Sequence, residues 1–106
     1  MKTIINDTES FSATVVVVKV KGTANIIVND NGTDTFPFTV DVHTNKGNKR
    51  VDKDISGNCT IEEKISIAKV VATISDWQCS AEKLHFHLNI KAAGKTLYDK
   101  TLEGAR

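Results

Sequence analysis

The sequence has little of several features that would assign it to a class of protein. Its 106 residues include two cysteines, one proline and 6% aromatic residues, and the formal net charge is only +1. A dedicated nucleic-acid binder usually carries a strong positive charge, and a nucleic-acid mimic needs a large negative one. We therefore do not expect a nucleic acid among the partners. The two thiols lack CxxC spacing, so they make a poor zinc site.

Long apolar runs are also missing. The longest is Val15 to Val18, which is far too short to span a bilayer. The first seven residues contain one basic side chain but no apolar stretch of the length that a signal peptide needs. We therefore expect no membrane partner, and a protein that stays in the cytoplasm of a bacterial or host cell.

No motif for catalysis or cofactor binding is present in the sequence. No glycine-rich loop lies between a strand and a helix, as a phosphate-binding loop would. Ser, Cys, His and Asp occur, but no three of them have a spacing that favours a nucleophilic triad. Asp52 and Asp54 share a strand face by parity, yet they flank Lys53 in an exposed-looking segment. The sequence thus favours a protein that is not an enzyme and that has no cofactor.

The strongest feature that is present is a change of hydrophobic period at Thr60. Apolar residues recur at every second position before it and again from Leu84, as expected for strands. Between positions 61 and 77 they follow a period near 3.6, which is typical of a helix. The pattern predicts a single α+β domain over residues 1–106, with one helix packed on an antiparallel sheet of about five or six strands in the order ββββαββ. The alternating sets are Phe36, Phe38, Val40 and Val42, then Leu84, Phe86, Leu88 and Ile90.

The predicted helix begins after Thr60, because Thr60 and Glu63 have the spacing of a capping box. An unbroken helix of about 18 residues would be about 27 Å long. It would separate Cys59 from Cys79 by far more than the roughly 7 Å that a disulfide permits. The two cysteines are therefore predicted to remain unpaired. The helix face predicted to pack on the sheet consists of Ile65, Ala68, Val71, Ala72 and Ile74.

The first sixty residues are predicted to form four strands after a loosely held lead-in of residues 1–10. The first strand covers about 11–21, with its middle buried on both faces. Asn31-Gly32 predicts a tight hairpin, because this pair adopts the positive φ angles of a type I′ turn. Pro37 cannot donate a ladder hydrogen bond, so its strand is predicted to be an edge strand or to contain a bulge near its start.

Two groups of side chains are candidates for contact with a partner. Residues two apart on a strand share a face, so polar residues of the last hairpin form one outward row. This row consists of Lys83, His85, His87, Asn89 and Lys91, and Tyr98 is a candidate anchor beside it. A basic turn adds Lys46, Lys49 and Arg50. Together they are predicted to meet an acidic surface on another protein, since such charges speed encounter and set its salt dependence.

A compact domain without a catalytic motif favours a binding function. We predict a non-enzymatic protein-binding module of the kind found among phage or mobile-element inhibitors, such as anti-CRISPR and other anti-defence proteins, or among immunity proteins. One alternative is a structural subunit of a virion or secretion machine, and a homo-oligomer is compatible with the sequence. Another is a small-ligand or metal-binding module that uses His85 and His87, although an ordinary solvated strand face is favoured over a metal site.

Overall fold

The computed structural model describes residues 1–15, 17–65 and 68–106, and these residues form eight antiparallel strands. Each strand pairs with its neighbours in the sequence, so that β1 to β4 make one sheet and β5 to β8 a second. No described residue lies in a helix, and hence none belongs to a helix that could cross a membrane. The predicted α+β class is therefore wrong, because this is an all-β sandwich. The strands are β1 Lys2–Val15, β2 Val18–Asp30, β3 Phe36–Thr44, β4 Gly47–Ile55, β5 Cys59–Ile65, β6 Ala68–Cys79, β7 Lys83–Ala92 and β8 Lys95–Ala105.

The segment predicted to be a helix forms β5 and β6. The two strands pair antiparallel from Cys59↔Ile74 to Ile65↔Ala68, while residues 66 and 67 lie outside the described part of the chain. Eight of the sixteen residues from Cys59 to Ile74 are Val, Ile or Thr. Their branched side chains lose rotamer freedom in a helix and pack well on a pleated sheet. Two short alternating runs joined end to end imitate a helical stripe, and this explains the error.

The burial of β6 confirms only part of the predicted packing face. Ala72 and Ile74 are buried in the core, as expected, but Val71 lies on the opposite face of the strand and is half-buried. The predicted packing of Ile65 and Ala68 concerns two side chains that lie outside the described part of the structure.

The beginning of the chain is part of the sheet. Residues 2–10, predicted to be a loosely held lead-in, form the first two-thirds of β1, and Ile5 is buried in the core. The single strand predicted over 11–21 is instead a hairpin, which closes at the pair Val15↔Val18. Val17 is 88% exposed, so this apolar run does not mark a strand that is buried on both faces.

The segment between β2 and β3 confirms the predicted antiparallel pairing but not the tight turn. The recorded ladder ends at Val28↔Phe38, and residues 31–35 form a wider loop. Gly32 has a φ of +87°, and the Asp30 carboxylate accepts a hydrogen bond of 3.0 Å from its N–H. Pro37 lies on β3, one residue beyond the end of that ladder. Because β3 is an internal strand, between β2 and β4, the prediction of an edge strand is wrong.

One hydrophobic core joins the two sheets. The residues that alternate in β3 and β7 all point inward and are buried, which confirms the period-2 interpretation of both strands. Trp77 of β6 bridges the layers, with its ring 5.8 Å from Phe36 and 5.7 Å from Phe86, measured between centroids. The largest fully buried side chains are Phe36, Phe38, Phe86, Ile26, Ile55, Ile74, Leu84, Leu88, Ile90 and Val28.

The up-and-down order of the strands gives the sandwich two different ends. Four hairpins close at one end, which we call the hairpin end, at the pairs Val15↔Val18, Thr44↔Gly47, Ile65↔Ala68 and Ala92↔Lys95. The connections 31–35, 56–58 and 80–82 lie at the opposite end, which we call the loop end. The sandwich also has two sides. Strands β1 and β8 meet at the closed side, and β4 and β5 are the outermost strands at the open side.

Candidate functional site

The predicted outward row lies on β7, an internal strand of the second sheet. Its five members are half-buried or exposed and alternate with the buried side chains of the same strand. The row therefore has the orientation that the sequence predicted. The row belongs to the second sheet, whereas the basic turn joins β3 to β4 in the first sheet.

Acidic residues of β8 neutralise much of this row. Glu103 pairs with Lys83 at 2.8 Å and with His85 at 3.4 Å, while Asp99 pairs with His87 at 2.5 Å. The hydrogen bond from Lys83 lowers the pKa of Glu103, and that from His87 lowers the pKa of Asp99. Such cross-strand pairs are ordinary features of an exposed sheet face. The row is thus less cationic than its own residues suggest.

Tyr98 is not an exposed anchor beside the row. Its side chain is only 3% exposed and points between the sheets, so that part of the predicted site is wrong. The Tyr98 hydroxyl donates a hydrogen bond of 2.6 Å to Asp7 Oδ2 on β1. Lys100 also contacts Asp7, at 3.1 Å, and pairs with Glu9. The sequence held no signal for this cluster, because Asp7 and Tyr98 are 91 positions apart.

These contacts close one side of the sandwich. Burial raises the pKa of Tyr98, and the hydrogen bond from Tyr98 lowers the pKa of Asp7. Farther along the same side, Gly104 brings β8 against the backbone of β1. A methyl group at Gly104 would overlap the carbonyl oxygen of Ile4 and lie 2.8 Å from Ile5 Cγ1. Only a residue without a side chain permits this approach.

The open side has an apolar cleft between the sheets. Its described lining comes from both sheets and includes a single charged side chain, Glu63 of β5. Nothing comparable to the Asp7–Tyr98 contact joins β4 to β5 among the described residues. The other lining residues are Phe38, Val40, Val42, Val51, Ile61, Val70, Ala72 and Ile90.

The β4 edge of this cleft is strongly charged. Arg50 forms two hydrogen bonds with Asp41, of 2.7 and 2.8 Å, and they lower the pKa of Asp41. Lys53 faces inward by strand parity but is exposed. Charges of this kind, especially inward-pointing ones, discourage another strand from pairing with an edge. Of the predicted basic turn, Lys46 is exposed, Lys49 is half-buried, and Arg50 is already paired.

The β5 edge carries fewer charges next to the cleft. Cys59, Ile61 and Glu63 alternate on its inner face and are half-buried. On the outer face, Glu62 pairs with Lys69 of β6 at 3.1 Å. Burial raises the pKa of Cys59, which keeps the thiol protonated and poorly nucleophilic.

The two cysteines are both free thiols, as predicted, although the helix that was expected to separate them does not exist. No group of three or more His, Cys, Asp and Glu side chains in the described ranges is arranged to hold a metal ion. His85 and His87 face carboxylates of β8 but gather no further ligand there.

A second polar cluster lies at the loop end, around Arg106. The guanidinium pairs with Asp30 at 3.1 Å and with Asp34 at 2.9 Å, and it stacks 4.8 Å from the centre of the Phe36 ring. It also donates to the carbonyl oxygens of Thr33 and Ser80. The side chain is only 9% exposed because these groups surround it, and it forms part of the lining of an open polar pocket at the loop end. The cluster joins two loops, and sequence reasoning missed it because its members are far apart in the chain.

No known family model matches this chain, and no curated protein sequence or solved structure is similar to it. The functional argument therefore depends on the chain's own residues.

Proposed function

We propose that this protein is a non-enzymatic module that binds an extended segment of another protein along β5, at the open side. The observation that supports this proposal is the apolar cleft bordered by an outermost strand. An edge strand leaves every second residue with N–H and C=O groups that a new strand can use.

The length of β5 is suited to a short peptide. Its seven residues extend about 23 Å, at about 3.3 Å per residue. Main-chain hydrogen bonds to such an edge supply affinity, and pockets for alternate side chains supply specificity. Apolar side chains of the segment would pack across the narrow mouth of the cleft, beside Ile61 and Val51. A lysine or arginine of the segment would face Glu63, which otherwise places a carboxylate beside apolar groups.

The charges on the opposite edge favour β5 over β4 as the acceptor. A strand added to β4 would face the exposed Lys53 and the paired Arg50. The proposal keeps the inhibitor or immunity class that the sequence favours, since such proteins act by occupying a surface of their target. It moves the contact from the β7 row to the open side.

A charge reversal at the cleft tests this proposal. Glu63→Lys and Glu82→Lys change the net charge equally, but Glu82 is exposed at the loop end. After affinity capture of the partner with the native chain, we expect Glu63→Lys to weaken binding by about tenfold or more. Glu82→Lys should bind as the native chain does. Amide exchange of β5 should slow in the complex, whereas slowing confined to β7 would refute the proposal.

A homomeric assembly is a second candidate. The β5 strand carries a net charge of −1 from Glu62, Glu63 and Lys64, while the β4 strand carries a net charge of +1 from Lys49, Arg50, Asp52, Lys53 and Asp54. These charges are complementary, so β4 of one copy could pair with β5 of the next in a head-to-tail array. Native mass spectrometry distinguishes the two candidates, because a structural subunit gives multiples of the 11.6 kDa chain without a second protein.

A further inference from the structure

The net charge of +1 conceals a strong separation of charge along the sandwich. We consider each hairpin turn together with four strand residues on either side, which gives segments 12–21, 41–50, 62–71 and 89–98. These segments contain nine of the fourteen Lys and Arg residues but only three of the thirteen acidic residues. The hairpin end therefore has a formal net charge of +6. The rest of the chain, with five cationic and ten acidic residues, has a net charge of −5.

The lysines of the hairpin end are available to a partner. Seven of them are exposed, and all of these except Lys69 are free of ion pairs within the described ranges. Two of the three acids at this end are already neutralised, Asp41 by Arg50 and Glu62 by Lys69. The six exposed lysines without an ion pair are Lys19, Lys21, Lys46, Lys64, Lys91 and Lys95.

The β1–β2 hairpin projects from this end. The pairing of β2 with β3 stops at Gly22↔Thr44, and the N–H of Asn45 donates to the carbonyl of Lys21 at 3.0 Å. Residues 18–21 of β2 continue beyond that ladder for about 13 Å, at about 3.3 Å per residue. The turn at the tip carries Val17, which is 88% exposed. The exposed side chain of Val17 therefore projects beyond the exposed lysines of the hairpin end.

We infer that the hairpin end docks on the surface of an anionic phospholipid bilayer. Val17 enters the boundary between headgroups and acyl chains, while the exposed lysines contact the lipid phosphates and carboxylates. Juxtaposed basic side chains and an apolar insertion are the two contributions that together give peripheral membrane binding. The expectation of no membrane partner depended on the absence of a spanning segment, and surface docking needs none. The site is distinct from the open side proposed above.

The composition of the hairpin end favours a lipid surface over a nucleic acid. Its only Phe, Tyr or Trp residue is Tyr98, which is buried, so the imidazole of His43 is the single exposed ring on which a base could stack. Its only arginine is Arg50, whose fork is engaged by Asp41. The foremost side chain is an aliphatic group, for which a phosphate backbone offers no contact.

Vesicle sedimentation with the full chain tests this inference. The probes are vesicles of phosphatidylcholine alone and of phosphatidylcholine with phosphatidylserine in equal parts. The triple variant Lys19→Ser, Lys21→Ser, Lys46→Ser removes charge from the hairpin end. The control Lys2→Ser, Lys53→Ser, Lys83→Ser removes the same charge from residues outside it, and a parallel run without vesicles subtracts any sedimentation that follows from the loss of Lys53 at the β4 edge. Circular dichroism verifies that both variants fold.

We expect the native chain to bind only the vesicles with phosphatidylserine. The hairpin-end variant should lose about tenfold or more in affinity, while the control should keep nearly all of it. In Val17→Trp, the added indole should emit at shorter wavelength when these vesicles are present. Equal losses in the two triple variants, or no binding to either vesicle, would overturn the inference. A nucleic-acid site would be identified instead by two results together. A single-stranded oligonucleotide would displace the protein from the vesicles, and Val17→Asn would change neither vesicle binding nor oligonucleotide binding.

Discussion

The closed and open sides of the sandwich differ in what their edge strands place between the two sheets. At the closed side, Tyr98 and Lys100 of β8 engage Asp7 of β1, and Gly104 lets the two backbones approach. At the open side, Glu63 projects from β5 beside apolar residues without an equivalent contact to β4 in the described structure.

The difference shows that a sandwich can manage its edges in two ways. An edge that is covered by another strand no longer exposes its main chain, and buried polar atoms there must find partners within the protein. All described buried side-chain nitrogen and oxygen atoms do find one. An uncovered edge relies on charges such as Lys53 to prevent indiscriminate pairing. If the open side binds a peptide segment as we propose, selectivity there requires a partner that complements Glu63.

Of the substitutions that test the difference between the two sides, one that forces the closed side apart should lower the free energy of unfolding most. Gly104→Ala places a methyl group against the Ile4 carbonyl, and overpacking of this kind costs about 1–3 kcal/mol. The matched control is Gly57→Ala at the loop end, where a methyl group has no described neighbour within 4 Å. Urea unfolding should show a clear loss for Gly104→Ala alone. Equal stability of the two variants would mean that β1 and β8 are not in close contact.

A smaller effect should follow from loss of the buried hydrogen bond. Tyr98→Phe leaves Asp7, whose side chain is partly exposed, with only Lys100 and should cost about 0.5–1.5 kcal/mol at neutral pH. The pKa of Asp7 is lowered in the folded state, so its contribution is present above the unfolded pKa near 4 and is lost as pH falls through the folded value. The pKa of Tyr98 is raised, so its contribution is lost above about pH 10.

The measurement is the urea midpoint of the native chain and of Tyr98→Phe across this pH range. The difference between them should be greatest near neutral pH and should shrink toward about pH 2. A difference that does not change with pH would show that the phenol contributes packing alone.

The smallest effect on stability is expected at the open side. Lys53→Val removes an inward-facing charge from the β4 edge, where the side chain is exposed, so the free energy of unfolding should change by about 0.5 kcal/mol or less. Concentration-dependent association should appear instead, because an unguarded apolar edge pairs with other strands. The measurement is sedimentation velocity of Lys53→Val. The control is Lys83→Val, which makes the same substitution on the internal strand β7. If both variants remain monomeric, Lys53 does not guard the edge.

Local patterns were sufficient to predict several elements of this fold. The inward alternation of β3 and β7 is determined by the period of two, since successive side chains of a strand point to opposite faces. The pairing of β2 with β3 follows from a turn signal between two apolar runs. The outward orientation of His85 and His87 follows in the same way. Each of these statements involves residues that are near one another in the sequence.

The false helix and the misplaced Tyr98 share one cause. Over residues 59–74 the apolar positions match both a helical stripe and two strands with a turn between them, and only pairing with β7 distinguishes the two. Tyr98 is buried by a contact with Asp7, which is at the other end of the chain. Residues near Tyr98 in the sequence therefore do not reveal that its side chain points away from the outward row. Likewise, nothing local shows that Glu103 and Asp99 neutralise the row, or that β5 borders an open cleft.

The sequence by itself determined the spacing of buried side chains within each strand, because that spacing is a property of the extended backbone. Only the tertiary structure decided which strands meet, which edges remain open and where charge accumulates. Those outcomes depend on contacts between residues far apart in the sequence, such as Asp7 with Lys100, which are 93 positions apart. The lysines of the hairpin end are scattered in the sequence, and they form one surface because antiparallel strands return every second turn to the same end.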